Sequence, residues 1–313
     1  MKKLKTMLGL SVLSIALVGC SEAQEGDGDT PIRIVTTTSQ IGDSIEQIGG
    51  ELVEVTSLMG PGVDPHTYQA TQNDIQSLQN ADLVLYNGLH LEGRMNEIFE
   101  QMGPSKSVAL GDSIDEEKLL KNFEYEGAVD LVDPHIWFDV DIWKEALDIA
   151  TETLIQHLPE DEDQLKQRQQ DYFNELDELI AQTAQKMDQL SDEQRVLVTA
   201  HDAFGYFGRM HDLEVIGLQG LSTEDEIGIR DIDSTIEILV ERNIPSVFVE
   251  SSISPRSIQA VIEGAKEKGH DVTLGGELFS DAMGEKGTKE GTYIGMYEHN
   301  VETIVNALLR EEE

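Results

Sequence analysis

The chain has 313 residues, of which 39% are hydrophobic, and it carries a formal net charge of −39. This length and this apolar content are enough for two domains with real cores, so the chain is not disordered overall. The charge argues against nucleic acid as a partner, because a surface rich in carboxylates repels phosphates. The 61 acidic residues are scattered along the chain, and we interpret them as a solvated surface that does not locate a site.

Residues 1–19 predict a lipoprotein signal peptide. Three lysines open the chain, and an apolar run over residues 7–18 follows, which is too short to span a bilayer and has the form of a secretory signal. The run ends in Leu-Val-Gly-Cys, and Cys20 is the only cysteine of the chain. This ending matches the lipobox of bacterial lipoproteins. We therefore predict that Cys20 is lipidated, that it anchors the protein to the cell membrane on the extracytoplasmic side, and that residues 20–30 form a flexible tether.

Strands and helices alternate from residue 31 onward. The hydrophobic pattern predicts strands over residues 32–37, 52–58 and 82–86, and helices over residues 40–49 and 71–79. Such alternation implies parallel strands joined by helical crossovers. It also places ligand-binding loops at the carboxyl ends of the strands.

The tripeptide Asp-Pro-His occurs twice, as Asp64–His66 after the second predicted strand and as Asp133–His135. A proline fixes its own φ and keeps the preceding residue extended, so each copy presents its imidazole from a stiff support. Stiffly held imidazoles suit metal ligation. The aspartate can equally close a local turn by accepting a backbone hydrogen bond, and the tripeptide alone leaves both interpretations open.

A helix is predicted from Asp139 toward Leu158, and a second, longer one follows over residues 161–191. No glycine or proline occurs between Asp163 and Leu190, and apolar residues recur at steps of three, four and seven. A helix over residues 163–190 spans roughly 42 Å. We interpret it as the link between an N-terminal lobe, residues 31–160, and a C-terminal lobe, residues 192–313. A coiled-coil dimer arm stays open as the alternative.

The alternation restarts after the long helix. Strands are predicted over residues 195–199, 213–218, 247–250 and 271–274, and helices over residues 231–241 and from Ser254-Pro255-Arg256 onward, with serine as the cap. The first of these strands delivers His201 at its carboxyl end, and the loop after the last contains Asp281. Two α/β lobes with ligand-type residues after strands predict a binding cleft between them.

Four segments carry a family resemblance: residues 64–68, 133–137, 201–207 and 279–282. With them the mature chain resembles, over essentially its whole length, the solute-binding lipoproteins of bacterial zinc and manganese ABC importers, the TroA-like and ZnuA-like family. The resemblance implies an α/β fold, with two α/β lobes of parallel sheets joined by one long α-helix and a metal site in the interlobe cleft. It implies four metal ligands, which are His66, His135, His201 and Asp281. It also implies a monomer that is not an enzyme and that has an ABC permease and ATPase complex as its partner.

Three imidazoles and one carboxylate form a site that suits Zn²⁺, while a bidentate carboxylate raises the coordination number toward what Mn²⁺ tolerates. Residues 111–132 contain no histidine-rich insertion of the kind that many zinc-dedicated members carry, and residues 217–223 resemble the manganese-associated branch. Manganese specialists, however, often have glutamate at the position of His201. We predict Mn²⁺ as the transported ligand, with Zn²⁺ a close second.

Further residues around the site have predicted supporting roles. We expect Asp64 and Asp133 to hydrogen-bond near the imidazoles and to fix their tautomers, with Arg230 or Glu250 as further candidates. Trp137 and its neighbour Phe138 are interpreted as packing that shields the metal from water. The remaining histidines are interpreted as surface or hydrogen-bonded residues; they are His90, His157, His211, His270 and His299.

Two other function classes remain as alternatives. A surface metallohydrolase needs an open metal position and a general base, and the chain contains neither a His-Glu-x-x-His nor a Gly-x-Ser-x-Gly motif. A metal-stabilised adhesin is the second alternative. It differs from a transport receptor because removal of its metal should unfold it.

Overall fold

A computed structural model describes residues 30–122, 131–224 and 227–309 of the chain. Residues Pro31–Glu313 form one compact unit. The predicted signal peptide, Cys20 and all of the predicted tether except Thr30 lie outside the described residues. Within those three ranges, no helix combines the length and the apolar character needed to cross a membrane.

The N-terminal half, residues 31–158, is built on a parallel sheet. Its elements are β1 (Ile32–Thr36), α1 (Ser39–Gly49), β2 (Val53–Ser57), α2 (Gln72–Asn80), β3 (Leu83–Tyr86), α3 (Asn96–Met102), β4 (Ser107–Ala109), β5 (Lys121–Asn122), β6 (Leu131–Val132) and α4 (Val140–His157). The sheet order is β2-β1-β3-β4 with every pairing parallel, whereas β5 and β6 form a separate antiparallel pair. The carboxyl ends of these parallel strands therefore meet at one edge.

The long helix α5 (Glu162–Met187) has 26 residues and follows a short 3-10 turn at Pro159–Asp161. Its buried residues form one stripe: Leu165, Tyr172, Leu176, Leu179, Thr183 and Met187. This stripe packs against α1 and α4 from the N-terminal half and against α9 (Tyr293–Leu308) from the C-terminal half. Because its apolar face is covered within the chain, α5 offers no seam of the kind that a coiled-coil dimer arm needs.

The C-terminal half, residues 192–309, repeats the alternation of strand and helix. Its elements are β7 (Val196–His201), α6 (Gly205–His211), β8 (Glu214–Gln219), α7 (Ile229–Glu241), β9 (Ser246–Glu250), α8 (Arg256–Glu267), β10 (Thr273–Leu278) and α9 (Tyr293–Leu308). The strands pair in parallel as β7 with β8 and β9 with β10, and β7 lies beside β9. The predicted α/β architecture, with parallel sheets and one long helix, is confirmed.

Several elements depart from the sequence-based prediction. Helix α9 was not predicted, because ten of its sixteen residues are buried and a helix covered on most sides lacks a one-faced apolar pattern. Strand β10 extends past its predicted end at residue 274. A register shift at Gly276, with φ 149°, lets its pairing with β9 continue beyond Gly275 and Gly276. Ser254 is not the cap of α8, since Pro255 occupies that position without a side-chain hydrogen bond.

One hydrophobic core runs through both halves. Trp143 of α4 stacks on Tyr293 of α9 with ring centroids 5.8 Å apart, and Phe138 stacks on Phe204 at 4.8 Å. Aromatic pairs of this kind are worth about 0.5–1.5 kcal/mol each beyond their buried area. Because these rings interdigitate across the two halves, we expect small tilts of packed elements and no wide hinge opening.

The same core contains a buried histidine, from which a prediction follows. His211 is 4% exposed, and its Nε2 lies 2.9 Å from the hydroxyl of Tyr297. Burial, reinforced by the Arg195 cation, lowers the pKa of His211 to about 4. An unfolded chain takes up this proton near pH 6.5, so the folded state loses stability as the pH falls from about 6.5 to 4.

We expect wild-type protein to lose about 2 kcal/mol more unfolding free energy than a His211→Gln variant between pH 7 and pH 4.5. Urea unfolding at both pH values measures this difference. A His157→Gln variant, altered at an exposed position, serves as the control and should lose as much unfolding free energy as wild type between the two pH values. If His211→Gln also loses as much as wild type, His211 is not buried in its neutral form.

Candidate metal centre

The structure brings the four predicted ligands together. Each of the four offers one ligand atom, and these atoms all lie within 4.8 Å of one another. His66 lies in the loop after β2, His135 in the loop after β6, His201 at the end of β7 and Asp281 in the loop after β10. All four side chains are buried, with at most 4% of any residue exposed. Two of them come from each half of the chain.

Both Asp-Pro-His tripeptides form the same local turn. Asp64 Oδ1 accepts the backbone N–H of His66 at 2.9 Å, and Asp133 Oδ1 accepts that of His135 at 2.9 Å. The turn interpretation and the ligand interpretation are therefore compatible, because the turn is what holds each imidazole in place.

Two carboxylates orient the imidazoles from behind. Asp133 Oδ1 lies 2.7 Å from His135 Nδ1, and Glu250 Oε2 lies 2.5 Å from His201 Nδ1. Glu250 Oε1 also accepts the backbone N–H of His201 at 2.8 Å. A proton held on Nδ1 by such a carboxylate leaves the lone pair of Nε2 free to bind a metal.

Asp64 and Arg230, the other two candidates for fixing an imidazole tautomer, do not contact the imidazole rings. Asp64 accepts from the backbone of His66 and from the hydroxyls of Thr67 and Thr223, so its contacts are not with the imidazole ring. Arg230 lies exposed near the start of α7 and takes no part in the site.

The inward-facing atoms converge on Asp281. Its Oδ1 lies 3.3 Å from His135 Nε2, and its Oδ2 lies 3.4 Å from His201 Nε2 and 3.9 Å from His66 Nε2. Within the described chain, His201 Nε2 and both carboxylate oxygens of Asp281 are buried without a hydrogen bond. Buried polar atoms without partners are costly. A cation bound by all of them would satisfy them together.

The electrostatics of the site favour a cation. Asp133, Glu250 and Asp281 are each no more than 3% exposed, and the buried charged residues in the described chain include no lysine or arginine. Three buried carboxylates require compensating positive charge. Protons on the imidazoles or a bound metal ion can supply it.

The pKa shifts of the site residues show the same imbalance. Burial lowers the pKa of His66 to about 4, against the attraction of Asp281. Burial also disfavours a charged His135, but the Asp133 and Asp281 carboxylates together outweigh it and raise the pKa of His135 to about 9. In the same way Glu250 and Asp281 raise the pKa of His201 above its usual value. The pKa of Asp281 is held low despite its burial, chiefly by His201.

Aromatic side chains enclose the site. The Trp137 ring meets the edge of His135 with centroids 5.4 Å apart, and both Trp137 and Phe138 are almost fully buried. Trp137 Nε1 donates to the carbonyl of Ser280 at 3.1 Å, so this side chain shields the site and also links its two halves.

The five other histidines lie outside the cluster. His90 is exposed, and His211 is buried against Tyr297. The ring nitrogens of the remaining three lie within hydrogen-bond distance of carbonyl oxygens; these histidines are His157, His270 and His299.

Sequence reasoning missed several residues that hold the ligand loops. Tyr206 donates to the carbonyl of Asp133 at 3.0 Å, and Asn87 donates to the carbonyl of Pro134 at 2.9 Å. Buried Glu92 accepts the backbone N–H of Asn87 at 2.9 Å. Tyr206 lies in residues 201–207, one of the segments that carry the family resemblance, so the sequence could have identified it. No sequence pattern pointed to Asn87 or Glu92, since Asn87 contacts a residue 47 positions away.

Comparison with known proteins agrees with this architecture. The model of the family "Zinc-uptake complex component A periplasmic" matches residues 34–307. The chain is 46% identical to the manganese-binding lipoprotein MntA of Bacillus subtilis, covering 96% of this chain and 98% of that protein. It is 46% identical to the zinc-binding protein TroA of Treponema pallidum, covering 92% of each.

A solved structure agrees as well. The periplasmic zinc-binding protein TroA of Treponema pallidum superposes with a TM-score of 0.85 at 45% identity, covering 90% of this chain and all of that one. A family model that matches most of the chain and two relatives at 46% identity lead to one conclusion: the chain belongs to the family of the periplasmic component A of zinc-uptake complexes.

Proposed function

We propose that this protein captures a divalent transition metal ion outside the cytoplasm and delivers it to an ABC permease for import. His66, His135, His201 and Asp281 are the proposed ligands. The observation that carries this proposal is the convergence of three imidazole nitrogens and one carboxylate in a buried site where the nearby buried charges are also carboxylates. Such a donor set suits a borderline divalent cation.

We propose Mn²⁺ as the physiological cargo, with Zn²⁺ as the close competitor. The relatives support the metal class without choosing one metal, because MntA is named a manganese-binding lipoprotein and TroA a zinc-binding protein at the same 46% identity. Nitrogen and oxygen sites generally bind Zn²⁺ more tightly than Mn²⁺. The cargo is therefore decided by geometry and by the supply of each metal.

The route of delivery belongs to the same proposal. Lipidation of Cys20 would hold the protein at the extracytoplasmic face of the cell membrane, and relatives such as MntA are named lipoproteins. The protein acts as a monomer with two lobes, residues 31–160 and 192–313, linked by residues 161–191. Its partner is a permease with its ATPase.

The alternatives have less support. Four protein ligands would close a tetrahedral site, whereas a hydrolase keeps one position open for water, so we propose no catalytic role. An adhesin that needs the metal for its fold fits poorly with a hydrophobic core that runs through both halves and is made of apolar side chains, none of them a proposed ligand.

The first test is a titration of metal into the empty protein. We expect one equivalent of Mn²⁺ or Zn²⁺ to bind wild type and to stabilise it by about 2.7 kcal/mol at a hundredfold excess over Kd. A His66→Ala, Asp281→Ala double variant loses two of four ligands and should gain almost nothing. Calorimetry gives the stoichiometry, and thermal unfolding gives the stabilisation.

A matched control replaces one histidine and one aspartate outside the site, as His157→Ala with Asp163→Ala, both exposed. This control should bind metal as wild type does. If the site variant and wild type respond alike, the metal binds diffusely to the acidic surface, and the four-ligand assignment fails. If the metal-free protein is unfolded, the result supports the metal-stabilised adhesin instead.

The carboxylate behind His201 generates a second prediction. A Glu250→Gln variant keeps an acceptor for the backbone of His201 but loses the charge that faces its Nδ1, so we expect metal affinity to fall about 10- to 100-fold. Competition with a chelator of known affinity measures this change. Glu277→Gln removes the same charge from an exposed position on β10 and should leave the affinity unchanged. Equal affinities in the two variants would contradict the role of Glu250.

A third prediction distinguishes the metal that the purified protein binds more tightly from the metal that it imports in the cell. In competition on purified protein, we expect Zn²⁺ to displace Mn²⁺, as the affinity order of these ions requires. In cells that lack the gene, we nevertheless expect the manganese content to fall while the zinc content stays constant. Elemental analysis of cells grown with limiting metal measures both. A fall in zinc alone would make Zn²⁺ the cargo.

A further inference from the structure

One segment of the C-terminal half contacts the loop that carries His66. We call this segment, residues 221–224, the clasp. The hydroxyl of Thr223 donates to Asp64 Oδ2 at 2.6 Å, and Arg94 donates to Glu224 Oε1 at 2.6 Å. The first contact is half-buried, and the second is an exposed ion pair. Exposed pairs contribute at most about 1 kcal/mol, so Thr223 is the more important of the two contacts.

The Thr223 contact connects directly to a ligand. Asp64 accepts the Thr223 hydroxyl through Oδ2 and the backbone N–H of His66 through Oδ1 at 2.9 Å. On the other side, Gln219 Nε2 donates to the carbonyl of Thr223 at 2.8 Å, and the carbonyl of Gln219 accepts from the backbone N–H of Asp202 at 3.0 Å. Asp202 follows the ligand His201. Hydrogen bonds therefore join a ligand of one half to a ligand of the other.

Asp281 and His135 are each held across the two halves by buried hydrogen bonds of a neighbouring residue. The carbonyl of Ser280, next to Asp281, accepts from Trp137 at 3.1 Å and from Gln40 at 3.3 Å, and both bonds are buried. The carbonyl of Asp133 accepts from Tyr206 at 3.0 Å in a further buried bond.

His66 differs from the other two histidines. His135 and His201 each have a carboxylate on Nδ1, whereas among the described residues the ion-pair contact of the His66 ring is with Asp281. Its side chain is also the most exposed of the three, at 3% against 0% for the other two. The position of His66 thus depends on its loop, and the loop depends on Asp64.

We propose that the clasp closes the site over the metal, and that Thr223 is a positioning residue that holds His66 in place through Asp64. When the Thr223–Asp64 bond breaks, the His66 loop is released while the other three ligands keep their geometry. The clasp therefore sets the rate at which the metal leaves. This inference rests on the proposed function, since it assumes that His66 binds the cargo.

The test is the rate of metal release from Zn²⁺-loaded and Mn²⁺-loaded protein mixed with excess chromogenic chelator in a stopped-flow instrument. We expect Thr223→Val, which keeps the shape and removes the hydroxyl, to release metal about tenfold faster. This factor corresponds to the loss of one hydrogen bond to a charged acceptor. Thr223→Ser restores the hydroxyl and should return the rate to that of wild type.

Two further measurements separate positioning from general destabilisation. Loss of this one hydrogen bond should lower the thermal midpoint of metal-free Thr223→Val by no more than about 4 °C, so the variant stays folded during the release measurement. In an Asp64→Asn background, Thr223→Val should add little to the release rate, because both substitutions break the same link. Thr288→Val removes a hydroxyl that bonds within its own loop at Glu285 and should leave the rate unchanged.

Each outcome bears on the clasp. A wild-type release rate in Thr223→Val, the same acceleration in Thr288→Val, or full acceleration on top of Asp64→Asn would overturn it. The proposed function fails separately, if wild type binds no stoichiometric metal or if the His66→Ala, Asp281→Ala variant binds as tightly as wild type. Stoichiometric binding together with unchanged release from Thr223→Val rejects the clasp alone.

Discussion

The site depends on the burial of three carboxylates beside three imidazoles. Asp133, Glu250 and Asp281 lie in the interior, where an uncompensated charge is strongly unfavourable. Their charge raises the pKa values of His135 and His201 despite the burial of both rings. A divalent cation provides the same compensation and also satisfies buried atoms that lack hydrogen bonds. The rest of the structure places these groups together and keeps them dry.

The fold places them through the ends of its parallel strands and the loops that follow. A shared core and α5 then fix one half against the other, because α5 packs on helices of both. Interiors packed in this way resist continuous deformation. Under the proposed function, such a protein would release its metal through small local movements. The loop that carries His66 is the part of the site that depends on a half-buried contact, the one between Thr223 and Asp64.

Capture and delivery make opposite demands on such a site. Under the proposed function, the carboxylates behind His135 and His201 would favour tight binding, since they fix the tautomer and would add negative charge near a bound metal. Delivery requires at least one ligand that can leave without disturbing the others. Under the proposed function, Asp281, which is fixed through the hydrogen bonds of Ser280, would serve capture, and His66, whose position depends on its loop, would serve delivery.

The sequence by itself determined the parts of this protein that depend on neighbouring residues. The alternation of strand and helix patterns predicted the α/β fold, and a long stretch without glycine or proline predicted α5. The four candidate ligands came from the family resemblance of residues 64–68, 133–137, 201–207 and 279–282. Only the tertiary structure decided that Glu250, 49 positions away, faces His201, that Thr223 reaches Asp64 over 159 positions, and that α9 is buried on most sides. These contacts join residues far apart in the chain, so no local pattern encodes them, and they exist only once the strands and helices have packed.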